Sequence, residues 1–363
     1  MRNDRIIYLV ADYFVNDIFG NENRGVQCWL SRERFFPMAE RKTRNDGHPG
    51  VRVQGDAWVS PPGRGAEEIP GYPYVIRYPG IVAIAHENGT EVELIEFFDC
   101  IGGAMWSQHH YAQSPLVRSV RNVGSSMRYL IRPGKADLDL QGSNFPAGIC
   151  GAEISDAEIA ISYVGIGGGG VGASDCRSYA GGVIRRLADP SGGGKRAGST
   201  VWLPRMQRVL IGLDDTDTPE KGASWTLAHN IARAVEDEMS RYLSHTIVQL
   251  FPVPYRTKNC VSIVCEFASS NPRQLIGRFH KLLEKYTLSD ETGMAVFTGF
   301  DPSPLFPFAW MVKKGEVHRD LLPAIGEGHL EFVMKGRGII GAVAAIPFYT
   351  RFEEALSLWT GSD

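Results

Sequence analysis

Val209-Leu210-Ile211-Gly212-Leu213-Asp214-Asp215-Thr216-Asp217-Thr218 sets an apolar run directly before three carboxylates within four residues. The run reads as a buried strand. Beyond the acids, Trp225, Ala228, Ile231, Ala232, Val235 and Met239 recur at helical spacing and form one apolar stripe. Strand, acidic turn and helix in that order predict an α+β or mixed α/β fold with a nucleotide site at the turn.

Asp214, Asp215 and Asp217 repel one another unless a cation lies among them. Mg²⁺ takes oxygen ligands, commonly a carboxylate or two together with phosphate oxygens and water. Asp214 and Asp217 are therefore candidate metal ligands, and all three acids are candidate catalytic groups. A helix N-terminus beside them favours an anion. Thr218 adds a hydroxyl there and Gly222 permits close backbone approach. The same residues also read as a helix cap, with Asp217 or Thr218 on the helix and the other acids solvated. On the residues alone both readings stand.

A second segment, Val253-Pro254-Tyr255-Arg256-Thr257-Lys258-Asn259, puts two cations around a threonine. Arginine offers phosphate a bidentate grip and lysine a point charge. Arg256, Thr257, Lys258 and Asn259 are thus candidate phosphate-binding residues, the alternative being a solvated loop. Strands are expected nearby at 246–251 and 260–267. Helices are expected at 272–285, capped by Asn271, and near 317–322.

Upstream, strands are expected at 75–78, 81–85, 92–97, 126–131 and 158–164, the second and third joined by an Asn88-Gly89 hairpin turn. Helices are expected up to Ala112 and at 174–186, with a turn over 189–198. Gly165-x-Gly167-x-x-Gly170 has the spacing of a dinucleotide loop, but no acid follows where a ribose contact needs one. A phosphate or substrate loop and a structural glycine turn are the other readings. Asp99, Cys100, Gly102 and Gly103, with Gly168, Gly169 and Gly170, form a possible acceptor site. Cys100 reads either as a nucleophile before a helix or as a buried thiol, with His109 and His110 on the surface.

The length of 363 residues suits two domains, expected at 73–203 and 208–350, with a tail or helix over 351–363. Residues 1–72 lack sustained periodicity and read as a disordered or non-native extension. A net charge of -3 supplies no basic field for a general nucleic-acid coat protein. Six cysteines without a C-x-x-C pair suit free thiols in a reducing cytoplasm. The apolar run at 6–10, flanked by Asp4 and Asp12, is too short to span a membrane.

Leu213-Asp214-Asp215-Thr216-Asp217-Thr218-Pro219 resembles the G-x-D-D-T-D-S motif of the kinase-like domain in archaeal tRNA-isoleucine agmatinylcytidine synthetase. Residues 253–259 are similar to its V-P-x-K-T-R-G-N-G segment. Arg337-Gly338-Ile339-Ile340-Gly341-Ala342-Val343-Ala344-Ala345-Ile346 is similar to its R-G-L-I-G-A-L-A-A-I. The resemblance, over about 208–347, implies ATP and Mg²⁺ handling at Asp214, Asp215, Asp217 and the 256–259 loop. It departs at Ala223-Ser224-Trp225-Thr226, where that family has M-C-T-T, and this chain has no zinc-ribbon cysteines.

From about residue 73 the chain also resembles the methanogenesis marker protein 11 family of archaeal methanogens. That likeness rests on Tyr78-Pro79-Gly80-Ile81-Val82-Ala83, Asp99-Cys100-Ile101-Gly102-Gly103-Ala104-Met105-Trp106 and Gly167-Gly168-Gly169-Gly170-Val171-Gly172. It implies a cytoplasmic role tied to methane formation, with methyl-coenzyme M reductase or another methanogenesis protein as partner. The resulting expectation is an ATP- and Mg²⁺-dependent enzyme that activates an oxygen acceptor by phosphoryl transfer. A non-catalytic nucleotide-binding assembly factor and a tRNA-binding or tRNA-modifying protein are the alternatives.

Overall fold

The computed structural model describes residues 75–190, 194–323 and 329–358. The expectations for 1–72 and for the last residues of the tail lie outside them. The first half carries β1 (Gly80–Ala85), β2 (Val92–Phe97), α1 (Ile101–Tyr111), β3 (Val117–Val123), β4 (Ser126–Ile131), β5 (Gly134–Lys135), β6 (Ala147–Ile154), β7 (Glu158–Ile166), α2 (Gly168–Val171) and β8 (Arg185–Ala188). The second carries β9 (Arg196–Asp214), α3 (Ser224–Val235), β10 (Ser240–Gln249), β11 (Val261–Ser269), α4 (Pro272–Tyr286), β12 (Gly293–Thr298), α5 (Phe306–Lys314), β13 (Leu330–Lys335), α6 (Ile339–Ala345) and α7 (Phe352–Leu356).

Everything hangs on β9. Its first part pairs antiparallel with β7 and β8, Arg205 and Met206 pair parallel with β1, and its last part lies between β11 and β12. The boundary expected at 203–208 falls inside this strand, so both halves of the sheet share it.

The second half of β9 alternates faces, as a strand must. Val209, Ile211 and Leu213 pack with Ala228, Ile231 and Val235 of α3 and with Leu275, Phe279 and Leu283 of α4. Leu210 faces the opposite layer, formed by α5 and α6. Gly212 and Gly293 let α6 lie directly on the sheet. A Cβ on Gly212 would stand 1.9 Å from the carbonyl oxygen of Ala342, and one on Gly293 would stand 2.0 Å from the carbonyl carbon of Gly338.

In the first half, the buried Arg177 guanidinium donates to both oxygens of Glu96, at 3.1 and 3.0 Å, and to Ser107. Between the halves, Glu266 of β11 accepts from both terminal nitrogens of Arg128, each at 2.8 Å, and from Arg208 Nε at 3.1 Å. Glu93 of β2 completes this buried group by pairing with Arg208 and Arg121. Burial alone would raise the pKa of Glu266, but the Arg128 and Arg208 charges overcome it and hold the carboxyl at about 2.

Several expectations fail for local reasons. The helix expected at 174–186 is replaced by short turns ending in β8. There the Gly181 carbonyl accepts from Ile81 N, and Gly182 takes φ +88 against β1. Residues 75–78 are not a strand, and the helix expected near 317–322 shrinks to a 3-10 turn at Arg319–Leu321. Helix α3 stops at Val235, which leaves Met239 exposed beyond it. Among the described residues, no helix is long and apolar enough to cross a membrane.

Candidate functional site

β9 delivers Asp214 to the end of the sheet, and the chain then turns sharply. Asp215 takes φ +52, a left-handed conformation uncommon for residues other than glycine. Its N–H donates to Asp214 Oδ1 at 2.8 Å. Thr292 donates to the Asp215 carbonyl at 3.0 Å, and Leu288 N donates to the Thr216 carbonyl at 2.9 Å. Local strain held from several sides is a frequent property of working sites.

Thr216 is buried and directs both its N–H and its hydroxyl to Ser224 Oγ, the first residue of α3. That helix has Ala223 at its N-cap and no side-chain cap. The capping reading of Asp217 and Thr218 is thereby overturned. Thr218 instead closes a turn on Lys221, whose N–H donates to its hydroxyl at 3.2 Å.

Asp214 and Asp215 line a cleft with Arg256, Asn259 and Arg337, and its floor is apolar, with Leu250, Val312 and Val317. Burial, and then the charges of Asp215 and Asp217, push the Asp214 carboxyl well above the usual carboxylate range. Asp215 is also raised by burial, with Arg337 pulling the other way. Asp217 does not join them in the cleft. It is 8% exposed and accepts from the Thr257 hydroxyl at 2.8 Å. Among the described residues, no group of three or more His, Cys, Asp or Glu converges as a cation site. Asp214 and Asp215 nonetheless fit Mg²⁺, because two carboxylates suffice when phosphate supplies further oxygens.

The two motifs named from the sequence do meet. Besides the Thr257 bond, Lys258 Nζ donates to the Gly222 carbonyl at 2.7 Å, and Gly222 takes φ +90. Arg256 donates to the Val253 carbonyl of its own loop at 3.0 Å. Asn259 lies on the cleft wall.

The possible acceptor site does not meet them. Ile166, just before Gly168, Gly169 and Gly170, pairs with Arg196 at the start of β9, whereas Asp214 ends it. The 19-residue length of β9 separates the two, roughly 60 Å at full extension. Gly165 and Gly169 are packing positions: a Cβ would stand 2.5 Å from the Gly169 backbone in one case and 3.0 Å from the Pro146 carbonyl oxygen in the other. Asp99 and Cys100 precede α1, with Gly102 and Gly103 in its first turn. Cys100 is exposed and His110 is buried, against expectation, while His109 is exposed as expected.

Sequence reasoning passed over three groups around the cleft. Arg337 was visible only inside a quoted motif, and Tyr255 only inside a loop. Glu291, which accepts from Arg337 N at 2.8 Å, carried no sequence signal.

With this geometry in hand, the relatives can be placed. The "Uncharacterized protein MJ0921" of Methanocaldococcus jannaschii is 39% identical, over 75% of this chain and 93% of its own length. The chain belongs to the MJ0921 family. Within it, residues 210–282 match the TiaS TCKD domain family, which covers the acidic turn, α3 and the 253–259 loop. A crystal structure of TiaS in complex with its tRNA and ATP is 25% identical over 39% of this chain, with a TM-score of 0.36. Apo TiaS, a tRNA agmatidine synthetase, is 24% identical with a TM-score of 0.34. The match spans about a third of those chains, 36% and 35%. The name of the MJ0921 relative specifies no reaction and no link to methane formation.

Proposed function

We propose that this MJ0921-family protein is an ATP- and Mg²⁺-dependent phosphotransferase that activates an oxygen atom of its acceptor. The observation that carries this reading is the strained Asp214–Asp215 turn, whose raised carboxyls face a guanidinium across one cleft. Anions and cations placed together at the carboxyl end of a strand suit a metal-bound phosphate. The family match at 210–282 supports it by placing this turn in a domain type found in TiaS.

In this reading Asp214 and Asp215 hold the metal ion, which when bound supplies charge neutralisation for the phosphate oxygens. Asp217 fixes the 253–259 loop through Thr257 rather than binding metal itself. Arg256 and Asn259 border the phosphates, and Lys258 and Gly222 set the loop's distance from the turn. The apolar floor excludes water, which strengthens each charge contact.

A second reading concerns the acceptor. The matched domain type belongs to an enzyme that has been crystallised with tRNA, which makes tRNA the first acceptor to test. A role with methyl-coenzyme M reductase rests on the sequence resemblance alone. The discriminating experiment is ATP turnover by the purified protein with separate small-molecule, protein and tRNA fractions of a cell extract. Phosphoryl transfer predicts ADP as product, stimulated by one fraction and lost in Asp215→Asn. AMP as the product, or turnover unchanged by Asp215→Asn, contradicts the reading.

A further inference from the structure

Arg337 stands at the cleft with Glu291 and Tyr255 beside its side chain. Its backbone N–H donates to Glu291 Oε2 at 2.8 Å, and its side-chain Nε stands 3.6 Å from the same oxygen as an ion-pair contact. Its guanidinium lies over the Tyr255 ring, 5.4 Å from the centroid, and the Tyr255 hydroxyl is fixed by Glu316 at 2.9 Å. Arg337 lines the cleft beside Asp214 and Asp215. Among the described residues its two terminal nitrogens have no hydrogen-bond partner. Arg256 and Lys258, by contrast, already donate to backbone carbonyls. With a carboxylate near Nε and an aromatic ring beside it, the guanidinium keeps its terminal N–H groups free for an anion, and their fork matches phosphate.

We infer that Arg337 is the catalytic residue that grips the transferred γ-phosphoryl group, with Tyr255 and Glu291 as its positioning residues. The inference rests on the phosphotransferase reading and names the cation that reading left open. In the transfer, the bond from γ-phosphorus to the β–γ bridging oxygen breaks and its electron pair stays with ADP. A lone pair of the acceptor oxygen forms the new P–O bond. Arg337 exchanges no proton. Its N–H groups follow the equatorial oxygens as charge redistributes.

The test uses titration of Mg²⁺–ATP and Mg²⁺–ADP into the full-length protein, which needs no acceptor. In the wild type, ATP binds more tightly than ADP. In Arg337→Gln, ATP affinity falls about tenfold towards that of ADP, while ADP affinity changes less than about twofold. Arg337→Lys restores little, because a point charge lacks the fork. Tyr255→Leu reduces the ATP preference about threefold with ADP binding unchanged, a selective effect that a purely structural role does not produce. Added guanidinium ion restores part of the ATP preference to Arg337→Gln. An unchanged ATP-to-ADP ratio in Arg337→Gln overturns the inference and leaves the phosphotransferase reading standing. A wild type that binds neither nucleotide overturns that reading itself.

Discussion

The hydroxyl of Thr257 donates to Asp217 Oδ1 at 2.8 Å, joining two segments forty residues apart in the chain. The bond explains why one acid of the cluster turns from the cleft: Asp217 is buried and its charge is met by a loop hydroxyl. With the Lys258 bond to the Gly222 carbonyl, it fastens the 253–259 loop over the acidic turn.

Thr257→Val leaves the buried Asp217 carboxylate short of a partner, at a cost of about 1–3 kcal/mol. Thr257→Ser keeps the donor and is close to neutral. Chemical denaturation of the two variants checks this. Equal midpoints would show that the bond does not hold the loop.

Gly341 is a packing requirement of the site. A Cβ there would stand 1.8 Å from Asp214 Oδ2. Gly341→Ala must therefore move α6 or the Asp214 carboxylate, at a cost of about 1–3 kcal/mol. The expected result is a lower melting temperature together with weakened Mg²⁺–ATP binding. In Gly277→Ala, where no atom lies within 4 Å of the new Cβ, neither changes in that direction.

Asp214 gives the ligand-free protein a pH signature. Its carboxyl is pushed above the usual range by burial and by the neighbouring acids, so the folded state keeps a proton that the unfolded chain releases. Stability therefore falls as pH rises from about 4 to the raised folded-state value, and then levels off. Asp214→Asn removes this slope and raises the melting temperature at neutral pH. Binding of Mg²⁺, which needs the ionised carboxylates, changes in the opposite sense and tightens as pH rises. Calorimetric scans across pH 4–8 measure both.

The buried ion group between the halves has the opposite sign. Glu266 is held at about 2, below its ordinary 4.5, so its contribution is complete above that ordinary value and is lost as pH falls towards 2. Glu266→Ala strands Arg128 and Arg208 in the interior and costs about 3–5 kcal/mol. An unfolding free energy within about 1 kcal/mol of wild type would show that water, not Glu266, satisfies those arginines.

The strand, the acidic turn and helix α4 were readable because each depends on local signals: an apolar run, clustered charge, and an Asn271 cap that accepts from Gln274 N. Meeting of the two phosphate motifs was also foreseeable, since each alone suggested the same ligand. The single strand running from Arg196 to Asp214 was not. Its first part opens with the small and polar residues Arg196 to Thr200, Pro204 lies within it, and its partners lie in both halves. The Arg128–Glu266 pair spans 138 residues and leaves no local pattern. Arg337 was hidden for a related reason, because its role comes from Glu291 and Tyr255, which approach from other elements. The helix expected over 174–186 failed because Arg177 is drawn into the core by Glu96, and Gly181 and Gly182 are held against β1.

The most direct test of the central claim is calorimetric titration of ATP, with and without Mg²⁺, into the wild type and into Asp215→Asn. The expected result is saturable binding by the wild type only when Mg²⁺ is present, and at least about tenfold weaker binding by Asp215→Asn at unchanged melting temperature. No heat from the wild type with Mg²⁺–ATP, or equal affinity in the two proteins, would contradict it.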